Sequence, residues 1–188
     1  MSNPNIIQIK SSAELKSMSY IAEICNIYIE CFCGAPYFEE FNENEIENQF
    51  LKYADNGILL LWQDTETKKI LAFDAAVPLS CDSDVAKIAA EFGFDKSSDW
   101  YHADLGVPER YQRQGIATSL VNELISLISA NKILARTQKD NIKSKKLHLK
   151  VGFKVIDGMF QSVKRKRITG EIKSDNRIFL LYIKENNN

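Results

Sequence analysis

Apolar residues alternate weakly over residues 6–10, "IIQIK", and then recur at helical spacing from Leu15 to Phe32, so the chain opens with a strand and one helix over residues 15–32. Gly34 and Pro36 break the pattern. A second helix, "EIENQFLKYADNG", stops at Asn56-Gly57, a good C-terminal signal. "ILLLWQD" and "ILAFDAAVPL" are strand-like runs separated by the polar "TETKK" and predict an antiparallel hairpin. Residues 80–100 read as an insertion holding a short helix near residues 85–92, and "YHADLGV", residues 101–107, is a further strand. From residue 115 to residue 130 the positions Ile116, Leu120, Val121, Leu124, Leu127 and Ile128 cover one broad helical face. "ILARTQ" is the next strand, "NIKSKKLHLKVGF" a short basic helix ended by Gly152, and "FKVIDGMFQSV" with "RIFLLYI" a closing pair of strands. No internal repeat interrupts this order, and the trailing "NNN" reads as a frayed end.

The expected architecture is α/β in the α+β sense, a mixed, mostly antiparallel sheet of about seven strands flanked by about four helices. Residues 1–188 are expected to form one domain, the length being ordinary for a single core. With 24 basic against 25 acidic residues and 45% hydrophobic residues, neither disorder nor general polyanion binding is suggested, and any charge argument is local. The N-terminus lacks the pattern of a secretory signal, and the apolar runs fall far short of the ~20 residues that span a bilayer, so a cytoplasmic protein without membrane partners is expected. Cys25, Cys31, Cys33 and Cys81 have no zinc-like spacing, so no metal is expected and the thiols read as idle ones in a reducing compartment.

The stretch "VPERYQRQGIATSLVNELI" carries the chemistry. A strand that turns through a glycine into a helix directs unpaired N–H groups outward from the helix start, where the macrodipole adds positive charge. Gly115 permits close approach, and the polar residues before it keep the turn solvated, which suits a pyrophosphate. Neither the dinucleotide pattern G-x-G-x-x-G nor the nucleoside-triphosphate pattern G-x-x-x-x-G-K-[ST] is present here.

Gln112-Arg113-Gln114-Gly115-Ile116-Ala117 resembles the Q/R-x-x-G-x-G/A motif of the GCN5-related N-acetyltransferase (GNAT) superfamily, with Val107 where that family usually has Val. "DNIKSKKLHLKVGF" resembles the family's downstream segment, with Asn141, Gly152 and Phe153 at the matching spacing. The resemblance covers nearly the whole chain apart from residues 80–100 and the extreme C-terminus. It implies a GNAT fold and acetyl-coenzyme A as cosubstrate, its pyrophosphate on the backbone of residues 112–117. It also implies a pantetheine arm between the strands at residues 101–107 and 133–138, touching Leu105, Gly106 and Val107. Asn141 and Lys146, one of several lysines crowding the same helix, would lie near the coenzyme, with the lysines neutralising a ribose phosphate.

The implied reaction is acetyl transfer to a primary amine by direct attack on the thioester, the acceptor being a small molecule or a peptide. One departure stands out. Where the family commonly carries Tyr as the acid for the departing thiolate, seven residues after the Asn, this chain has His148. His148 in its charged form is one candidate for that acid, and a partly buried helix residue is the other reading. Asp104, a carboxylate on a central strand, is either a general base or a structurally hydrogen-bonded group, with His102 of the same strand parity in reserve. Tyr37, Phe38 and Glu39 offer an aromatic, negatively charged surface to a cationic amine, or are an ordinary packed loop. "KRKR", residues 164–167, reads as a soluble turn rather than a nucleic-acid patch, and the last strand is a candidate for pairing across a homodimer. The competing functional class is a non-catalytic acyl-coenzyme A sensor or regulatory domain.

Overall fold

The computed structural model describes residues 5–34 and 37–184, so Pro36, the first four residues and the trailing "NNN" lie outside the described residues. Seven strands form one sheet: β1 (Asn5–Ile9), β2 (Ile58–Gln63), β3 (Ile70–Pro78), β4 (Trp100–Gly106), β5 (Lys132–Gln138), β6 (Lys154–Lys166) and β7 (Ile172–Ile183). Their order across the sheet is β1-β2-β3-β4-β5-β7-β6, and only β4 and β5 run parallel. Six helices pack on it: α1 (Ser12–Ser17), α2 (Tyr20–Phe32), α3 (Glu43–Asn56), α4 (Ser83–Ala90), α5 (Ile116–Leu127) and α6 (Ile142–Lys150).

Strand alternation sends side chains to two separate cores. Leu59, Leu61, Phe73, Ala75, Val77, Tyr101 and Leu134 pack beneath α1–α4, around Phe50 and Tyr28. Phe50 stands edge-on to Phe73 at 4.8 Å between centroids, the arrangement aromatic quadrupoles favour. Ile58, Leu60, Ala72, Ala76, Ile133, Ala135 and Leu180 pack instead against Leu120, Val121 and Leu124 of α5 and against Phe153. Residues 80–100 contribute Val85, Ala89 and Phe94 to the first core.

Several expectations are corrected. The helix expected over residues 15–32 is two helices, because Ser19 takes a left-handed φ of 59° and redirects the chain between α1 and α2. The closing strands run past the segments that announced them, β6 to Lys166 and β7 back to Ile172, since their outer ends pair through polar residues such as Lys164↔Ser174 and Arg165↔Lys173. β7 is paired on both sides, by β5 and by β6, so "RIFLLYI" offers no edge for a second subunit. Residues 164–166 lie in the paired end of β6 rather than in a turn, and Arg167 is buried.

One irregularity decides the site. Ala75 of β3 faces Asp104 while the next residue, Ala76, faces His102, so Ala103 is an extra residue in β4. A bulge of this kind breaks the two-residue alternation. Asp104 therefore turns toward α3, whereas His102 turns toward α6. The expectation that the two share a face is overturned.

Candidate active site

β4 and β5 pair only at Trp100↔Ile133, Tyr101↔Leu134 and His102↔Ala135, although β4 runs on to Gly106 and β5 to Gln138. Beyond His102 the two strands part, leaving Ala103, Asp104, Leu105 and Gly106 without ladder partners on the β5 side. That leaves backbone donors and acceptors free for an extended guest. On its other edge β5 stays paired with β7 along its whole length, from Lys132 to Gln138. Gly106 has a packing reason to be glycine, since a Cβ there would lie 2.3 Å from the Phe73 ring.

At the end of this cleft the chain passes from β4 through Val107 to α5. Arg113 (φ 62°) and Gly115 (φ 87°) both adopt left-handed backbone, and Gly115 caps α5 with no side-chain hydrogen bond to the first-turn N–H groups. Those donors stay open, at the positive end of a helix of 12 residues. Gln112 braces the turn by donating to the Val107 carbonyl at 2.9 Å, and Gln114 donates to the Arg110 carbonyl at 3.2 Å. Arg113, Gln114 and Gly115 are exposed. Ile116 points into the second core and Ala117 is half-buried, so Ile116 can serve a ligand only through its backbone.

Two of the lysines stand differently toward the turn. Lys143, on the first turn of α6, reaches Gln112 Oε1 at 3.1 Å, while Lys146 is exposed and makes no polar contact with the turn among the described residues. Asn141 caps α6 by accepting from Ser144 N at 3.0 Å, and its amide donates to the Tyr37 hydroxyl. It ties the loop after α2 to the start of α6.

Asp104 is half-buried at the mouth of the cleft. Tyr53 Oη donates to its Oδ2 at 2.5 Å, and the Gln49 amide donates to the same oxygen. Oδ1 takes no hydrogen bond from the described residues. Burial raises the carboxyl above its ordinary value, against the pull of Tyr53, Arg136, Gln49 and Arg177. A carboxylate with one oxygen anchored, the other free and its affinity for a proton increased is suited to accept a proton.

On the opposite face lies a buried chain that the sequence reading missed. Asp74 Oδ1 is 2.6 Å from His102 Nε2, His102 Nδ1 is 3.1 Å from His148 Nε2, and His148 Nδ1 is 2.8 Å from the Ser144 carbonyl. A carbonyl only accepts, so His148 Nδ1 carries hydrogen, and a neutral His148 must accept at Nε2 from His102. His102 is thus protonated at Nδ1 and shares a second proton with Asp74. Burial opposes that charge, but Asp74 outweighs it and the His102 pKa is raised. His148 moves the other way, to about 4, through burial and the neighbouring His102 charge. The charged His148 expected as an acid is therefore not the resting form at neutral pH.

The acceptor loop also differs from expectation. Phe38 is exposed, Tyr37 is half-buried, and Glu39 is buried and held by Arg177 at 3.0 Å, Arg165 at 3.5 Å and Arg167 at 3.8 Å. A carboxylate so fully neutralised is not free for a cationic amine. The four cysteines are unpaired thiols, and burial pushes Cys25 to about 11 and Cys31 to about 12, so these two stay protonated. Among the described residues no helix is long and apolar enough to cross a membrane, and no group of three His, Cys, Asp or Glu is placed to hold a metal ion.

Solved structures share this architecture. A phosphinothricin acetyltransferase of Sinorhizobium meliloti in complex with acetyl-coenzyme A superposes with a TM-score of 0.67 at 16% identity, over 96% of this chain and 88% of that one. Arabidopsis thaliana NAA60 in complex with acetyl-coenzyme A gives 0.67 at 14%, over 96% and 98%. An N-acetyltransferase of Staphylococcus aureus Mu50 gives 0.65 at 15%, over 95% and 98%. At such identities the likeness establishes the fold, and no curated protein matches the sequence. The family itself is given by the sequence of residues 21–153, which match the acetyltransferase (GNAT) family and span every element from α2 to α6. The turn at Gly115, the parted β4 and β5 and that match agree: the chain belongs to the acetyltransferase (GNAT) family.

Proposed function

We propose that the protein transfers the acetyl group of acetyl-coenzyme A to a primary amine. The observation that carries this reading is Asp104, a half-buried carboxylate with a raised pKa and one free oxygen, set where β4 and β5 part. Family membership supports acetyl transfer from the coenzyme in general, and Asp104 adds the feature an amine acceptor requires. An ammonium ion must lose a proton before it can attack a thioester, and Asp104 Oδ1 takes it directly or through a water. Backbone N–H groups of residues 112–117 receive the pyrophosphate, Lys143 adds positive charge beside them, and the unpaired edge of Leu105 to Val107 takes the pantetheine arm. The coenzyme supplies the activated acetyl group; the protein contributes placement and proton handling.

The leaving thiolate needs a proton, and a neutral imidazole alone is a poor acid. It becomes a competent one if its far nitrogen gains a proton as the near one gives its own away. His102 Nδ1–H passes to His148 Nε2 while His148 Nδ1–H turns from the Ser144 carbonyl to Ser144 Oγ, 3.4 Å away, and the Ser144 hydroxyl gives its own hydrogen to the sulfur. Asp74 keeps His102 charged for this step. The fold-level neighbours crystallised with acetyl-coenzyme A support the coenzyme; an amine acceptor rests on Asp104.

The test is thermal stability with and without acetyl-coenzyme A, with inorganic pyrophosphate as charge control, followed by product detection with an amine panel. A ligand at 100 times its dissociation constant adds ~2.7 kcal/mol, roughly 5–10 °C for a chain of this size. A shift with the coenzyme together with acetylated amine supports the proposal. A shift without any acetylated amine leaves a coenzyme-binding module, and no shift removes the coenzyme site.

A further inference from the structure

Arg136 and Arg177 stand on the face of the sheet that carries Asp104. Arg136 of β5 lies opposite Phe179 of β7, and Arg177 opposite Gln138, so the two arginines are diagonal neighbours on one face, within reach of long side chains. Gln161 of β6 pairs with Arg177, yet it is Arg136 that donates to Gln161 Oε1, at 2.5 Å. The Arg136 side chain therefore crosses β7 and lies beside that of Arg177. Two like charges are held together where water is scarce.

Their partners do not match their number. Arg177 shares Glu39 with Arg165 and Arg167, and it shares Asp175, at 3.9 Å, with Arg167 at 2.5 Å, so four guanidinium groups divide these two carboxylates with the uncompensated Arg136 among them. Arg136 has no carboxylate within 4 Å among the described residues; its hydrogen-bond partner is the neutral amide of Gln161 and its guanidinium lies 5.8 Å from the Tyr101 ring centroid. Asp82 and Asp104 act on it from farther off, and each is already engaged, Asp82 in capping α4 and Asp104 by Tyr53 and Gln49. The Nε atoms of both Arg136 and Arg177 are buried with no hydrogen-bond partner. A desolvated guanidinium with an unused donor is costly to maintain, and the fork it presents matches a planar oxyanion.

We infer that the acceptor amine carries a carboxylate, which Arg136 and Arg177 bind while the amine faces Asp104; the acceptor class is amino-acid-like rather than a polyamine, an aminoglycoside or a protein N-terminus. The inference rests on the proposed acetyl transfer. It explains why Glu39 is buried against arginines instead of facing the cleft, since it spaces the cations so that one of them stays uncommitted. It also separates the two ends of the acceptor: the base lies on β4, the anion site on β5 and β7.

The experiment compares matched acceptors: proteinogenic and ω-amino acids, their carboxamides, and the corresponding decarboxylated amines. Each is assayed for acetylation and, by calorimetry, for binding to the coenzyme A-loaded protein, with wild type, Arg136→Met and Arg136→Lys. Losing a charge-assisted hydrogen bond predicts roughly a 10–150-fold preference of the wild type in kcat/KM for the best acid over its carboxamide. In Arg136→Met that preference falls to near unity with acetyl-coenzyme A affinity kept, whatever change in the Asp104 base the two acceptor types share, and Arg136→Lys recovers part of the preference. Equal or better acetylation of the carboxamides and decarboxylated amines by wild type overturns the inference and leaves acetyl transfer standing. So does an equal loss for both acceptor types in Arg136→Met. A protein that binds the coenzyme but neither binds nor acetylates any of these amines refutes the amine acceptor and the carboxylate with it.

Discussion

The opposite displacements of His102 and His148 make the stability of the protein depend on pH in a way that one substitution isolates. His148 in the unfolded chain titrates near 6.5 and in the folded protein at about 4. Above 6.5 both states leave it neutral and its contribution is full. As pH falls from 6.5 toward 4 the unfolded chain binds a proton that the folded one refuses, so acid draws the equilibrium toward unfolding. At about 1.4 kcal/mol per pH unit the whole interval amounts to roughly 3 kcal/mol, of which about 2 kcal/mol is lost by pH 5. For a chain of this length that is about 4–8 °C in melting temperature. His102 works in the other direction: its raised pKa gives stability that is full below 6.5 and fades as pH rises through its folded value. Its window lies above that of His148, so the stability owed to the pair peaks near 6.5.

The assay is the melting temperature of wild type and His148→Gln between pH 7.5 and pH 5, at fixed ionic strength. Glutamine does not titrate, and its amide oxygen can accept from His102. Surface carboxylates are common to both proteins and cancel in the difference. Wild type is expected to lose about 4–8 °C more than the variant across this range. Parallel curves would show that His148 titrates normally, and the buried chain from Asp74 to Ser144 would then be wrongly drawn.

Asp104→Asn keeps the shape of the site and removes the base; amine acetylation should fall about 10²–10⁴-fold with acetyl-coenzyme A affinity unchanged. In wild type, kcat/KM should rise with pH through a value above that of an ordinary carboxylate, because Asp104 must be ionised and burial raises its pKa; a pH-independent rate in this range removes it as the base. Gly115→Ala forces a side chain into a φ of 87° and should cost about 1–2 kcal/mol, read as a fall in melting temperature together with weaker coenzyme binding. Gly106→Ala places a Cβ 2.3 Å from the buried Phe73 ring and should cost about 1–3 kcal/mol through overpacking, so an unchanged denaturation midpoint would contradict the packing at the end of β4.

The turn at Gly115 was legible because its determinants are local: a glycine, its polar neighbours and the apolar helix that follows all lie within residues 107–125. The order of strands and helices was legible for the same reason, since periodicity is a short-range property. The break at Ser19 was not, because apolar spacing continues across it while the backbone conformation changes at one residue. The parity of His102 and Asp104 failed because a bulge is set by the register of β4 against β3, which a single strand does not display. Glu39 was misassigned because its arginines come from β6, the residue just after it and β7, more than a hundred residues away. The Asp74–His102–His148 chain was hidden likewise, since it joins β3, β4 and α6, although a charged residue inside the apolar run "ILAFDAAVPL" was a visible anomaly.

The extra residue at Ala103 also turns β4 into a partition wall. On the proposed assignment, proton removal from the amine occurs on one side of a single strand and proton delivery to sulfur on the other, so the two half-reactions share a backbone but no side chains. On the same assignment, acceptor preference can drift through changes in α3, β6 and β7 while the donor side stays fixed. Such a wall permits either partner to arrive first, because neither has to vacate the space the other needs.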